Sequence, residues 1–377
     1  MRHQFFRTYL ITLQFLCVIS FPFLNDRFHF ITDIPGFENR KLAEKPVFNP
    51  EHLDPYPAAF EKYYNDTFAL RSRIIRGFNL YNIVILKKTP FPDEVIIGKN
   101  NWLFLSGMHV NAYLGKDRFS EKELRSLKEN FLRNKKYLAS KNCKFYVMIV
   151  PTKANIYPEN MPFTFWKLNE LGWGEEINRY MDKNSDLKMI DLFTALKKEK
   201  SNDPLYYLAD LHWNRLGAFY SANAAINKMS QNIPGLSPLA LGDYRILKKP
   251  LGIGDIRRMV GDLDMYNETE YELVPIAGSR SKEVKKENYM VNKGFVFPDE
   301  YARVREIKGS RQPKLLIFSD SFGMHIFPFL SENFSRTVKI FDGWSYAINT
   351  EIVEKEKPDI VLMVIYEPFI RNMLPKE

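Results

Sequence analysis

Two cysteines among 377 residues leave little room for sulfur chemistry. Cys17 falls in an N-terminal apolar run and Cys143 at the front of an expected strand, so the two do not read as a disulfide pair, and they are silent on redox compartment. Histidine is also scarce, at six. Zinc-finger spacing and RNP-like aromatic signatures are both missing, so no nucleic-acid motif accompanies the net charge of +9 and the pI near 9.2. The basic residues are scattered, apart from a loop-like stretch at 279–289, and a diffuse basic surface accounts for them. Repeats and low-complexity tracts are absent. Aromatic residues are in excess, at 15% of the chain with 30 Phe and 20 Tyr, which suits either an aromatic-rich core or sugar stacking. A hydrophobic content of 45% and a charged content of 26% are those of a folded protein with an ample core.

The N-terminus carries Arg2 and Arg7, then an apolar run from Tyr9 to Leu24, then polar residues. This layout predicts an export signal whose basic end stays inside. No small-x-small cleavage pattern follows, because Phe21, Pro22 and Phe23 stand there. Residues 1–27 therefore read as an uncleaved signal anchor, with a cleaved signal peptide as the alternative, and the rest of the chain is expected outside the cytoplasm. Prolines 35, 46, 50 and 55 with little periodicity make 28–55 a stalk.

The remainder, 56–377, reads as one α/β domain. Residues 56–86 predict one or two amphipathic helices, and 94–105 a hairpin turning at Gly98–Asn101. Ser120 with Glu123 forms a capping box that opens a helix to about Lys141. Continuous apolar runs at 143–150, 187–192, 314–319, 337–341 and 359–365 predict strands buried on both faces. Helices are expected at 214–229 and 347–357, and 231–310 reads as an irregular insertion with short strands. The pattern is a doubly wound parallel sheet flanked by helices.

Chemistry enters with two phrases. In "LLIFSDSFG" (315–323) the strand ends at Phe318 and Ser321 sits just beyond its carboxyl end, where open α/β sheets place their sites. In "DLHW" (210–213) residues i and i+2 of an extended segment point to the same side, so Asp210 is placed to fix the tautomer of His212. A base so oriented is what a serine hydroxyl needs to act as a nucleophile. Each phrase alone has a plainer reading, Ser321 as a helix cap and His212 as a loop histidine beside an acid. A metal site on the same pair lacks further His or Cys ligands nearby. His3, His29 and His52 lie in the anchor and stalk, and His109 follows the hairpin. His325, four residues after Ser321, is the rival base, but it is expected one helical turn away from the substrate side.

Taken together, several stretches resemble the alginate O-acetyltransferase AlgX/AlgJ family, whose domain is SGNH-hydrolase-like. They are "YYNDTFALRSRII" (63–75), "IIGKNNWLFL" (96–105), "IVPTKANIYPENMP" (149–162), "DLHWNRLGA" (210–218), "FSDSFG" (318–323) and "KPDIVLMVIYEPFI" (357–370). The resemblance implies Asp210 as orienting acid, His212 as general base and Ser321 as nucleophile. Ser319 stands where the family has glycine, and Pro368 follows Glu367 directly, which puts in doubt the basic residue the family places after that glutamate.

Lys153, Tyr157, Trp213, Tyr366 and Glu367 fall in matched motifs. For these the choice lies between lining a substrate site and packing the sheet end. The implied activity is polysaccharide O-acetylation through an acetyl-serine, at the periplasmic face of the inner membrane. A membrane-bound O-acyltransferase (MBOAT) would be the acetyl source, a polysaccharide the acceptor, and no cofactor is required. The short stretch after the last strand suggests the anchored AlgJ-type member rather than the longer one with a carbohydrate-binding module. An acetylesterase with the same triad and a non-catalytic scaffold of a polysaccharide assembly complex are the alternatives.

Overall fold

A computed structural model describes every residue except 1, 35, 38–40, 52, 188, 201–202, 286–288, 290–297, 343 and 376–377; of residues 2–8 it describes the backbone alone. His52 and the side chain of His3 therefore lie outside the described residues, as does part of the basic stretch 279–289. The chain divides into two compact units, Met1–Pro92 with Asp255–Tyr266, and Asp93–Gly254 with Asn267–Glu377.

The first unit opens with helix α1 (Arg2–Phe28). Its stretch Tyr9–Phe28 is 20 residues long and almost wholly exposed. At 1.5 Å per residue it matches the ~30 Å hydrocarbon thickness of a bilayer. The helix ends where His29 turns left-handed (φ 53°) and donates its N–H to the Asn25 carbonyl. Asn25 closes the turn by exchanging two side-chain hydrogen bonds with the Ile31 backbone. Helices α2 (Pro55–Thr67) and α3 (Arg71–Leu80) follow, the second running into a π-helical turn at Tyr81–Ile85. These are the helices predicted at 56–86. Arg76 of α3 pairs with Asp264 at 2.8 Å within this unit.

The second unit begins with the hairpin β1 (Val95–Ile97) and β2 (Leu103–Leu105), followed by α4 (Met108–Leu114) and α5 (Glu121–Ser140). The turn of the hairpin holds Asn100 and Asn101 at positive φ, which asparagine tolerates. The capping box of α5 is formed in full, Ser120 accepting from the Glu123 N–H and Glu123 from the Ser120 N–H. Then come β3 (Lys144–Val150), α6 (Lys153–Ile156), α7 (Trp173–Asn184), α8 (Leu192–Glu199) and α9 (Arg215–Ser230). Strand β4 (Tyr244–Pro250) precedes the short α10 (Asp255–Met259) of the first unit. The chain closes with β5 (Thr269–Pro275), β6 (Lys282–Val284), β7 (Ala302–Glu306), β8 (Lys314–Ser319), α11 (Gly323–Leu330), β9 (Arg336–Phe341), α12 (Thr350–Glu356) and β10 (Ile360–Tyr366).

The main sheet has the order β3-β10-β8-β9-β7-β6. Its first four strands are parallel, while β7 and β6 add antiparallel. Alternate residues of the parallel strands feed two separate cores. Tyr146, Met148, Val150, Leu315, Ile317, Leu362 and Val364 face one. Phe145, Val147, Ile149, Leu316, Phe318, Val361, Met363 and Ile365 face the other. The period of two thus explains why these runs are apolar throughout and why helices cover both faces.

Two expectations change. Among the described residues of 187–192 there is no strand: Ile190 makes a single parallel bridge to Met148, and Asp191 then caps α8 through the Thr194 N–H. The sheet is not purely parallel either, because the supposed insertion supplies β6 and β7, and its β4 and β5 pair as a separate seven-residue antiparallel ribbon.

Candidate active site

The carboxyl ends of the parallel strands carry the site. Strand β8 stops at Ser319, and Asp320, Ser321 and Phe322 turn the chain into α11. Asp320 builds that turn. Its carboxylate accepts from the Phe322 N–H at 2.9 Å, the Tyr346 hydroxyl at 2.8 Å and the Tyr366 N–H at 2.7 Å. Burial raises its pKa, and these three bonds oppose the rise. The turn carrying Ser321 is thereby pinned to the end of β10.

His212 arrives from a second loop. Tyr206 and Trp213 pair across it, and the Asn214 side chain caps α9 by accepting from Leu216 and Gly217 N–H groups. Gly217 is required here, because a Cβ would stand 2.2 Å from the Leu205 carbonyl oxygen. Asp210 Oδ1 accepts from the His212 backbone N–H at 2.8 Å and lies 2.7 Å from His212 Nδ1. His212 Nε2 stands 2.8 Å from Ser321 Oγ. With a carboxylate on Nδ1, that nitrogen carries the hydrogen and Nε2 faces the hydroxyl as an acceptor. The structure thus brings together Asp210, His212 and Ser321 in one relay across 109 residues of sequence.

The loop is clamped from both sides. Lys153, at the start of α6, is buried and donates to the carbonyls of Tyr207 (3.0 Å), Leu208 (2.9 Å) and Asp210 (2.8 Å). Its ammonium also lies over the rings of Trp102 and Phe104, at 5.5 and 5.2 Å. Burial draws its pKa down, countered by the charges of Glu268 and Asp210. Glu268, just before β5, accepts from the N–H groups of Leu208 and Ala209. No sequence signal pointed to Glu268, which reaches the loop from about sixty residues away.

The other residues singled out by motif lie in the packing around this relay. Trp213 is fully buried, edge-on to Phe322 at 5.2 Å, so it is a core residue and not an exposed stacking surface. Tyr157 is buried with its hydroxyl accepting from the Leu205 N–H. Tyr366 stacks on Phe322 at 4.4 Å and meets His109 Nδ1 through its hydroxyl at 3.2 Å. Glu367 is wholly buried and accepts from Thr152 N–H, Gly174 N–H and the Asn155 amide, tying the ends of β10, β3 and α7 together. Lys153 therefore holds the 207–210 loop, and Glu367 holds the sheet end. His325 does not replace His212: its Nδ1 faces the Trp213 carbonyl at 3.0 Å, and burial pulls its pKa down to about 3. Ser319, in place of glycine, is accommodated by Gly323, where a Cβ would meet the serine Oγ at 2.0 Å.

Residues 95–299, more than half of the chain, match the family of the SGNH hydrolase-like domain of acetyltransferase AlgX. The chain belongs to this family. Among curated relatives of the AlgX family, the probable alginate O-acetylase AlgJ of Azotobacter vinelandii is 26% identical over 168 residues. That match covers 42% of this chain and 39% of the relative, so well under half of the relative's length is spanned. Among solved structures, PatB1 of Bacillus cereus carrying a sulfonyl adduct superposes with a TM-score of 0.55 at 17% identity, over 75% of this chain and all of that one. A second PatB1 structure gives the same TM-score at 19% identity, over 74% of this chain and 97% of that one. At such identities the likeness is one of fold, and it agrees with the SGNH-like sheet described above.

Proposed function

We propose that this AlgX-family chain is a polysaccharide O-acetyltransferase working through Ser321, His212 and Asp210. The observation that carries the reading is the unbroken relay from the Asp210 carboxylate through both nitrogens of His212 to the Ser321 hydroxyl. His212 Nε2 takes the Ser321 proton as Oγ attacks the carbonyl carbon of an acetyl donor. The imidazolium is steadied by Asp210, and the start of α11 two residues on favours the negative oxygen that develops. The leaving group takes the proton from His212, and an acetyl-serine remains. A sugar hydroxyl then gives its proton to Nε2 and attacks the ester, and the proton passes from His212 to Ser321 as the acetylated sugar departs.

In this reading α1 anchors the chain in the inner membrane, with the catalytic unit on the extracytoplasmic side. The acetyl group comes from a membrane-bound O-acyltransferase. The test incubates the purified full-length chain with an activated acetyl ester, with and without oligosaccharides. Acetylated oligosaccharide that disappears in Ser321→Ala supports the proposal. Free acetate as the sole product in the presence of every oligosaccharide makes the protein an esterase.

A further inference from the structure

Helix α3 has two unlike faces. Arg76 and Asn79 lie on one: Arg76 pairs with Asp264, and Asn79 is buried with its amide 3.0 Å from where a Cβ on Gly261 would stand. Ile74 and Phe78 repeat at i and i+4 on the other, and Tyr81 and Ile85 extend them through the π-helical turn. These four apolar side chains are 51%, 60%, 54% and 63% exposed. Leu86 is exposed beside them, and the exposed Lys87 and Lys88 follow. Isolated exposed apolar residues need no explanation, but a stripe at helical spacing ending in lysines does.

The chain leaving α1 tethers the helix that carries this stripe. The Asp33 carboxylate accepts from the Leu70 N–H at 2.8 Å, and the Thr32 carbonyl accepts from Arg73 Nε at 2.6 Å. Both contacts fall at the N-terminal end of α3, and Thr32 follows Phe28, the last residue of α1, by four positions (32 − 28). Four residues reach ~15 Å at most, and the Asn25–Ile31 hydrogen bonds fold this segment back on the helix end. One headgroup layer is ~5–8 Å deep, so it is the fold-back, which holds the segment well short of its full reach, that keeps this end of α3 near that layer. Helix α3 is therefore tied to the end of α1 at the level where an inserted α1 would leave the hydrocarbon.

We infer that the Ile74–Phe78–Tyr81–Ile85 face of α3 rests in the interfacial layer of the bilayer that α1 enters, with Lys87 and Lys88 toward anionic headgroups. This rests on the anchor reading given above. An apolar stripe of this kind suits an interfacial helix, tyrosine suits the headgroup level, and basic residues close to the bilayer are drawn to anionic headgroups. One helix would then cross the bilayer while another lies along it, and the two together would fix the height and tilt of the first unit at the membrane.

The test uses the full-length chain in vesicles of phosphatidylcholine and phosphatidylglycerol. An environment-sensitive dye on the native, exposed Cys17 of α1 reports the anchor, and the buried Cys143 stays unlabelled. In a Cys17→Ser background, the same dye on Phe78→Cys or Ile85→Cys reports α3. The expected result is deep quenching at Cys17 by lipids spin-labelled near the chain end. At positions 78 and 85, quenching should be several-fold stronger from lipids labelled near the headgroup than from the deep ones, with little from aqueous iodide. If Cys17 reads deep while 78 and 85 are open to iodide, the inference fails and the anchor stands. Shielding of 78 and 85 from iodide and from both lipid quenchers would mean a protein contact and also overturn it. A Cys17 dye that stays in water defeats the anchor reading, and the inference falls with it.

Discussion

His212 has two ring nitrogens, and the proposed mechanism depends on their being held in different roles. Asp210→Asn preserves shape but presents an amide that can stabilise the wrong tautomer, so acetyl transfer should fall by about three to four orders of magnitude; steady-state rates against an unchanged melting temperature check this. Lys153 acts one step further back. Replacing it by methionine leaves the carbonyls of Tyr207, Leu208 and Asp210 without their shared donor. Lys153→Met should cost about 3 kcal/mol of stability and lower kcat with little change in KM, because the lysine ammonium is engaged by the loop carbonyls, that of Asp210 among them. Asp342 gives a pH signature. Burial, with Asp320 nearby, raises its pKa to about 7 from an ordinary 3.8. Between those values the unfolded chain has released the proton that the folded chain keeps, so stability falls as pH rises from about 4 to about 7 and levels off above. Asp342→Asn should remove that contribution, and the difference in melting temperature between variant and parent should grow in the variant's favour over this interval.

At the scale of elements, the relay depends on two turns being held tightly. Gly217 lets α9 approach the 205–213 loop, so Gly217→Ala must move the Leu205 backbone or the helix. The predicted outcome is loss of both thermal stability and activity, whereas Ser120→Ala at the remote cap of α5 should cost only about 1 kcal/mol and leave kcat unchanged. The same distinction explains what could be read in advance. The runs at 143–150, 314–319 and 359–365 face apolar cores on both sides, so their sequence declares them. Ser321 and His212 stand at recognisable ends of a strand and a helix. The run at 187–192 looked alike, yet Asp191 offered its side chain to the backbone of α8 and ended the extended segment after one bridge. Strands β4 and β5 were illegible because most of their residues are exposed and mixed in charge. Glu268 was invisible for a related reason: its partners are backbone N–H groups, which leave no trace in residue type.

For the molecule as a whole, the proposed function assigns a different task to each unit. The first holds an exposed helix long enough to cross a bilayer, and the segment after it is hydrogen-bonded to α3 through Thr32 and Asp33. The second holds the sheet and the relay at its carboxyl edge. The proposed activity needs both, one to keep the protein at the membrane and one to carry acetyl from donor to glycan. Its central claim is covalent: acetyl must pass through Ser321. The most direct measurement is rapid acid quenching of the full-length protein with an activated acetyl ester, followed by peptide mass spectrometry. The account predicts one acetyl group on the peptide containing Ser321, absent in Ser321→Ala and cleared when an acceptor oligosaccharide is added. Transfer to the oligosaccharide at undiminished rate by Ser321→Ala would contradict it.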